Sequence, residues 1–196
     1  MNITRKSLAH WNYFLSLESD LVTITRYIEI DPMNFRTFSV ELAKLFLAST
    51  SEVDVVLKLL CKCLKSNLNP RSIGQYRKII TEKMPQLIEE PVRIPRYSIE
   101  FDPWKKWRVE KSKNPDWWKN YNYVKHHRDK YFAEANLENV LKSLSGLFVV
   151  VSFYYKCLFD SKRESPMSMR GLFVNLEPST VLFRLKPEYY SFIHFG

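Results

Sequence analysis

The chain predicts an all-α protein: an antiparallel helical bundle of four to five helices with a small C-terminal β-hairpin. Three observations carry this. Two long segments repeat apolar residues at threes and fours, a third is apolar on most of its faces, and strand-like alternation is confined to short stretches. With 196 residues, 45% of them apolar and 15% aromatic, the chain can build the core of one domain. The bundle is expected over residues 1–160, including an irregular basic arm at 85–113. Residues 161–196 form a hairpin extension packed on the same domain.

The first helix is expected from about Ser7 to Ile28, where Trp11, Phe14, Leu15, Leu21 and Val22 form a stripe. Asp31-Pro32 marks its end. The second spans about Ser39 to Ser66, on Leu42, Leu45, Phe46, Val53, Val56, Leu57, Leu60 and Cys61, and Asp54 and Lys58 support it four residues apart. Neither stripe can be buried alone, which implies antiparallel neighbours. Ser72 to Lys83 carries a short helix. Pro85, Pro91, Pro95 and Pro103 then forbid a continuous one, and Tyr97, Ile99 and Phe101 alternate as a short strand.

Asn114-Pro115-Asp116 is a helix start: a capping amide, a proline that fits the first turn and an acid that suits the helix dipole. The helix runs from Pro115 to about Arg128. Phe132 to Asn136 makes a turn, and a fourth long helix spans about Leu137 to Phe159. The apolar centre of that helix, Phe148 to Val151, suits a central position or a dimer contact. After a loop at Ser161 to Met169, Leu172 to Leu176 and Val181 to Leu185 flank Glu177-Pro178-Ser179-Thr180 as a hairpin.

Composition excludes several classes. Four glycines and the lack of G-x-G-x-x-G or G-x-x-x-x-G-K-[ST] leave no basis for a dinucleotide fold or a Walker A loop. Cys61, Cys63 and Cys157 are odd in number and read as buried thiols of a reducing compartment. Neither C-x-x-C nor H-E-x-x-H is present, and no metal or cofactor is expected. The apolar run around Leu147 to Tyr155 is short for a membrane span, and residues 1–12 lack an apolar leader, so a cytoplasmic protein without membrane attachment is expected.

The net charge is +9, and residues 62–130 hold 17 basic against 8 acidic residues. Such a local excess attracts a polyanion or forms a solvated face. Trp104 and Trp107 are interleaved with Lys105, Lys106 and Arg108, a pattern suited to nucleic acid and equally to a pinned arm. In Tyr121-Asn122-Tyr123-Val124-Lys125-His126-His127-Arg128, Asn122 and His126 share a helix face, and Tyr121, Lys125 and Asp129 share the next. Histidine exchanges a proton near neutral pH, an amide holds its tautomer or a phosphate oxygen, and arginine stabilises phosphoryl charge. The same groups suffice for binding alone. His10 and His194 stand isolated.

The paired amino-terminal helices, with Ser39-Val40-Glu41 and Ser51-Glu52-Val53-Asp54, and the 121–128 segment followed by Ala135-Asn136 and a long apolar helix resemble the HEPN superfamily. The resemblance covers about residues 8–160 and is strongest with small all-helical prokaryotic members. Asn122 matches the polar position of the family motif and His126 its histidine. Tyr121 stands in place of the arginine, and Arg128 can supply the charge from the other side of His126.

The resemblance implies a metal-independent endoribonuclease of a defence or toxin–antitoxin type. Its catalytic residues are His126, Asn122 and Arg128, in a composite site of a homodimer. Lys125, Tyr121, Lys105, Lys106, Arg108, Trp104 and Trp107 are the RNA-binding candidates, and an antitoxin or other defence-system protein is a possible partner. A non-catalytic RNA-binding or regulatory module is the alternative, and a purely partner-binding helical protein is the third.

Overall fold

Capping side chains set the starts of the long helices. Ser39 Oγ accepts from the Leu42 amide at 3.1 Å, Ser72 Oγ from Gln75 at 3.4 Å and Asn136 Oδ1 from Asn139 at 3.0 Å. Each satisfies an amide that the first turn leaves without a helical partner. The structure, a computed structural model, describes residues 8–67, 69–110 and 113–190. Within them lie eight helices: α1 (Ala9–Ile24), α2 (Val40–Leu64), α3 (Ile73–Lys83), α4 (Lys105–Val109), α5 (Asp116–His126), α6 (Arg128–Tyr131), α7 (Leu137–Asp160) and α8 (Met169–Asn175). Two strands, β1 (Val92–Ile94) and β2 (Ile99–Phe101), pair antiparallel with Val92 opposite Phe101.

The helix count exceeds the expected four to five because α4, α6 and α8, of five, four and seven residues, are too short to show a helical period in sequence. The β-hairpin lies mid-chain, at 92–101, and not at the C-terminus. Residues 172–176, expected as a strand, fall largely in α8, where Ser168 Oγ accepts from the Gly171 amide at 3.0 Å. The second expected strand is held by a carboxylate. Glu18, buried on α1, accepts from the amides of Val181 at 3.1 Å and Leu182 at 2.8 Å and from the Thr180 hydroxyl. Such bonds satisfy both the buried charge and the extended backbone. Among the described residues, the Arg93–Arg184 bridge is the one β-bridge between this segment and the sheet.

The two longest helices run in the same direction, against the antiparallel expectation. Ser49 Oγ meets Ser143 Oγ at 2.7 Å, and Cys63 meets Cys157; both pairs are separated by 94 residues, so α2 and α7 advance together. Parallel neighbours need a long connection, and residues 65–136 supply it. α1 and α5 flank the pair and run oppositely. His10 lies beside Glu52 and Tyr155, while Asn120 meets Asn139 and Trp117 lies against Gly146.

The cysteines also depart from expectation. Cys63 and Cys157 form a disulfide between the facing turns of α2 and α7, with Cα atoms 6.4 Å apart, and both are only half-buried. A spacing of 94 residues gives no sign of that proximity before the helices are registered. Cys61 alone is a buried thiol, pushed by burial up to about 12 and so neutral at physiological pH. The disulfide removes the basis for reading a reducing compartment from the cysteines. α7, at 24 residues, is long and apolar enough by length and composition to cross a bilayer, against the expectation of an apolar run too short for one. It packs as a core helix, with 78% of its most apolar window buried inside the protein.

Over its described residues 85–110, the arm is a layer of the core. Leu87, Ile88, Val92, Ile94, Phe101, Trp104 and Trp107 are buried. Trp104 Nε1 donates to the Gly146 carbonyl at 3.3 Å, and Trp117 Nε1 to that of Pro103 at 3.0 Å. Gly146 permits this approach of two indoles to α7: a Cβ there would lie 2.9 Å from Trp117 Cζ2 and 3.5 Å from Trp104 Cζ2.

Candidate nucleic-acid interface

α5 divides its residues between two environments. Trp117, Trp118, Tyr121 and Val124 are buried and form its inner stripe. Lys119, Lys125 and His126 are exposed on the outer side. The helix ends at His126. His127 takes φ −141° and ψ 49°, its amide donates to the Tyr123 carbonyl at 2.8 Å, and the chain restarts as α6. Asp129 therefore does not continue the face of Tyr121 and Lys125 as an unbroken helix would have it.

The corner between α5 and α6 gathers cations around two stacked rings. Tyr123 and Tyr131 stack with centroids 4.5 Å apart and planes 17° from parallel. Lys119 Nζ lies 5.4 Å from the Tyr123 centroid, and the His127 ring meets Tyr131 edge-on at 6.5 Å. Lys125, His126, His127, Arg128 and Lys130 are all exposed, with Asp129 the one acid among them. None of these residues is in an ion pair among the described residues. Unneutralised cations beside accessible aromatic rings suit a polyanion whose bases can stack.

The proposed catalytic residues occupy this corner with unequal freedom. His126 is exposed, and its imidazole forms no hydrogen bond to any described residue. Arg128 lies just beyond the break. Asn122 is half-buried, and its amide donates to the Trp118 carbonyl at 2.9 Å, so one of its donors is spent on its own helix. Tyr121, which stands where the resemblance expects an arginine, faces the interior. It is 7% exposed, edge-on to Phe46 at 6.3 Å and beside Trp118 at 5.8 Å. Lys125 Nζ sits 5.5 Å from its ring.

The arm candidates are placed differently. Trp104 and Trp107 are fully buried against one another, with centroids 4.4 Å apart, so neither presents a face for a base. Lys106 pairs with Asp116 and Arg108 with Asp102, each at 2.6 Å. Lys105 is exposed without an ion pair among the described residues.

Sequence reasoning missed two other polar groupings. His10 is not isolated: its Nδ1 lies 2.6 Å from Glu52 Oε1 and its ring meets Tyr154 edge-on. Arg93 and Arg184 meet across the bridge described above. Neither pairing has a local signal, because the partners are brought together by separate elements. His194 lies outside the described residues. No group of three or more potential metal ligands occurs among the described residues. No family model matches the chain, and neither a curated protein nor a solved structure does.

Proposed function

We propose that this protein binds RNA through the corner between α5 and α6, as a module whose primary action is binding. The observation that carries the reading is the run Lys125 to Lys130, which exposes three permanent cations and two histidines without acidic partners beside the Tyr123–Tyr131 stack. Phosphates meet Lys125, Arg128 and Lys130, and an unpaired base meets the rim of Tyr131. The interior position of Tyr121 favours binding over the arginine–histidine chemistry of the HEPN motif, since no charge stands there.

Fluorescence anisotropy with a labelled single-stranded RNA tests this. Affinity is expected to fall steeply with salt, and K125Q/R128Q/K130Q to weaken it about tenfold with a salt slope shallower by about 2. Absence of binding at low salt, or equal binding by the triple variant, refutes the assignment.

Endoribonuclease activity is the second reading, favoured by the exposed, uncommitted imidazole of His126 close in sequence to Arg128. Here His126 moves the proton of a ribose oxygen, Arg128 stabilises the phosphoryl charge, and a second copy completes the cleft. Cleavage in EDTA that disappears in H126A supports it; equal products from both proteins, or none from either, exclude it.

A further inference from the structure

Two arginines face each other where the sheet meets the C-terminal segment. The Arg93 amide donates to the Arg184 carbonyl at 2.7 Å, and the Arg184 amide to that of Arg93 at 2.8 Å. Residues directly opposite in such an antiparallel pair carry their side chains on the same face, close together. Like charges so placed repel. The compensation in view is small. Glu100, opposite Arg93 on β2, comes within only 3.8 Å of its Nε, and both side chains are largely in solvent. Lys186, the next cation along, is committed to buried Glu90 at 3.1 Å.

A shallow, open depression of about 310 Å³ lies at this pair, lined by Arg93, Pro95, Arg184, Leu185, Pro187 and Tyr190. Its walls are held in place. Arg184 Nη1 donates to the carbonyls of Thr180 at 2.6 Å and Phe183 at 2.8 Å, which orients the guanidinium and leaves Nε and Nη2 without an acceptor among the described residues. That guanidinium lies 5.6 Å from the Tyr190 ring centroid. The Tyr190 hydroxyl accepts from the Leu185 amide at 3.2 Å, and its ring stacks on Phe173 at 5.0 Å.

We propose that this depression binds a phosphate monoester bearing a flat ring, of the nucleoside monophosphate class, with the phosphate between Arg93 and Arg184. A dianion there converts the repulsion of the pair into two charge-assisted contacts, and the planar guanidinium forks match its oxygens. The ring packs against the exposed Pro95 and Pro187 and the edge of Tyr190. This site is separate from the corner between α5 and α6 and does not depend on it.

The test is calorimetry and thermal shift on the full chain with adenosine 5′-monophosphate, inorganic phosphate and adenosine, ionic strength held constant with sodium chloride. The monophosphate is expected to bind 1:1 and saturably, phosphate more weakly, and adenosine not measurably. R93Q keeps the backbone bridge, so it should melt no lower than wild type while weakening monophosphate binding about tenfold. R96Q, whose guanidinium lies over Tyr97, should bind as wild type does. Equal binding by R93Q and wild type overturns the proposal, as does the lack of any saturable response to monophosphate or phosphate at millimolar concentration. A 5′-phosphorylated RNA that outbinds its 5′-hydroxyl counterpart through Arg93 identifies the phosphate as an RNA end; no difference identifies it as that of a free nucleotide. K125Q/R128Q/K130Q should bind the monophosphate unchanged, which separates this site from the corner.

Discussion

Residues 104–108 and residues 119–131 share a composition, cations interleaved with aromatic rings, and end in opposite environments. In the arm, Trp104 is sealed against Gly146 and Trp117 and Trp107 is buried against Trp104, while Asp102 and Asp116 neutralise Arg108 and Lys106. At the corner, Tyr123 and Tyr131 stack near the surface and the neighbouring cations keep their charge unopposed. Composition sets what a segment can contact. The seat that the rest of the fold offers decides whether that capacity is spent inside the molecule or left for a ligand.

The largest expected effect falls on the arm. W104A and W107A should each cost about 3–5 kcal/mol of stability in urea denaturation, because each empties a fully buried site. A variant that kept its stability and lost RNA binding would reverse the assignment of the two regions. G146A comes next, at about 1–3 kcal/mol, since the added methyl meets an indole whose Nε1 is already tied to Pro103. Thermal melting checks it, and a neutral result would mean that the indoles can shift.

At the corner the balance inverts. Y131A should leave the melting temperature nearly unchanged, as the ring is 37% exposed, and weaken RNA about fivefold or more through the lost stack. An unchanged affinity would remove the rings from the interface and leave only the cations. The smallest effect is expected for K105Q/K106Q/R108Q: RNA affinity within about twofold of wild type, and less than about 1 kcal/mol of stability for each surface ion pair broken. A large loss of RNA affinity there would return the arm to the binding surface.

Much of the scaffold was legible from short-range patterns. The boundaries of α2, α3 and α7 follow the apolar period closely, whereas Asn114, the expected cap of α5, instead accepts from Arg77 Nη1 at 3.2 Å and Pro115 precedes the helix. The site was legible in part: segment 121–128 was picked out, but the break at His127 was not, because an exposed residue with non-helical dihedrals has no local signature. The Tyr123–Tyr131 stack depends on that break. Trp104 and Trp107 mislead because a tryptophan between lysines reads alike whether its ring is out or in; the gap left by Gly146, some forty residues later, seats Trp104, and Trp107 packs on Trp104.

Local chemistry by itself therefore determined that this chain is helical, where α2 and α7 begin and end, and where its positive charge lies, since each of these depends on neighbours within a few residues. The tertiary structure decided the common direction of α2 and α7, the pairing of Cys63 with Cys157, the burial of the arm and the meeting of Arg93 with Arg184. Each of those joins positions about 40 to 95 residues apart. Contacts at that range are chosen by the packing of whole elements, where the burial of one surface excludes every alternative partner for it.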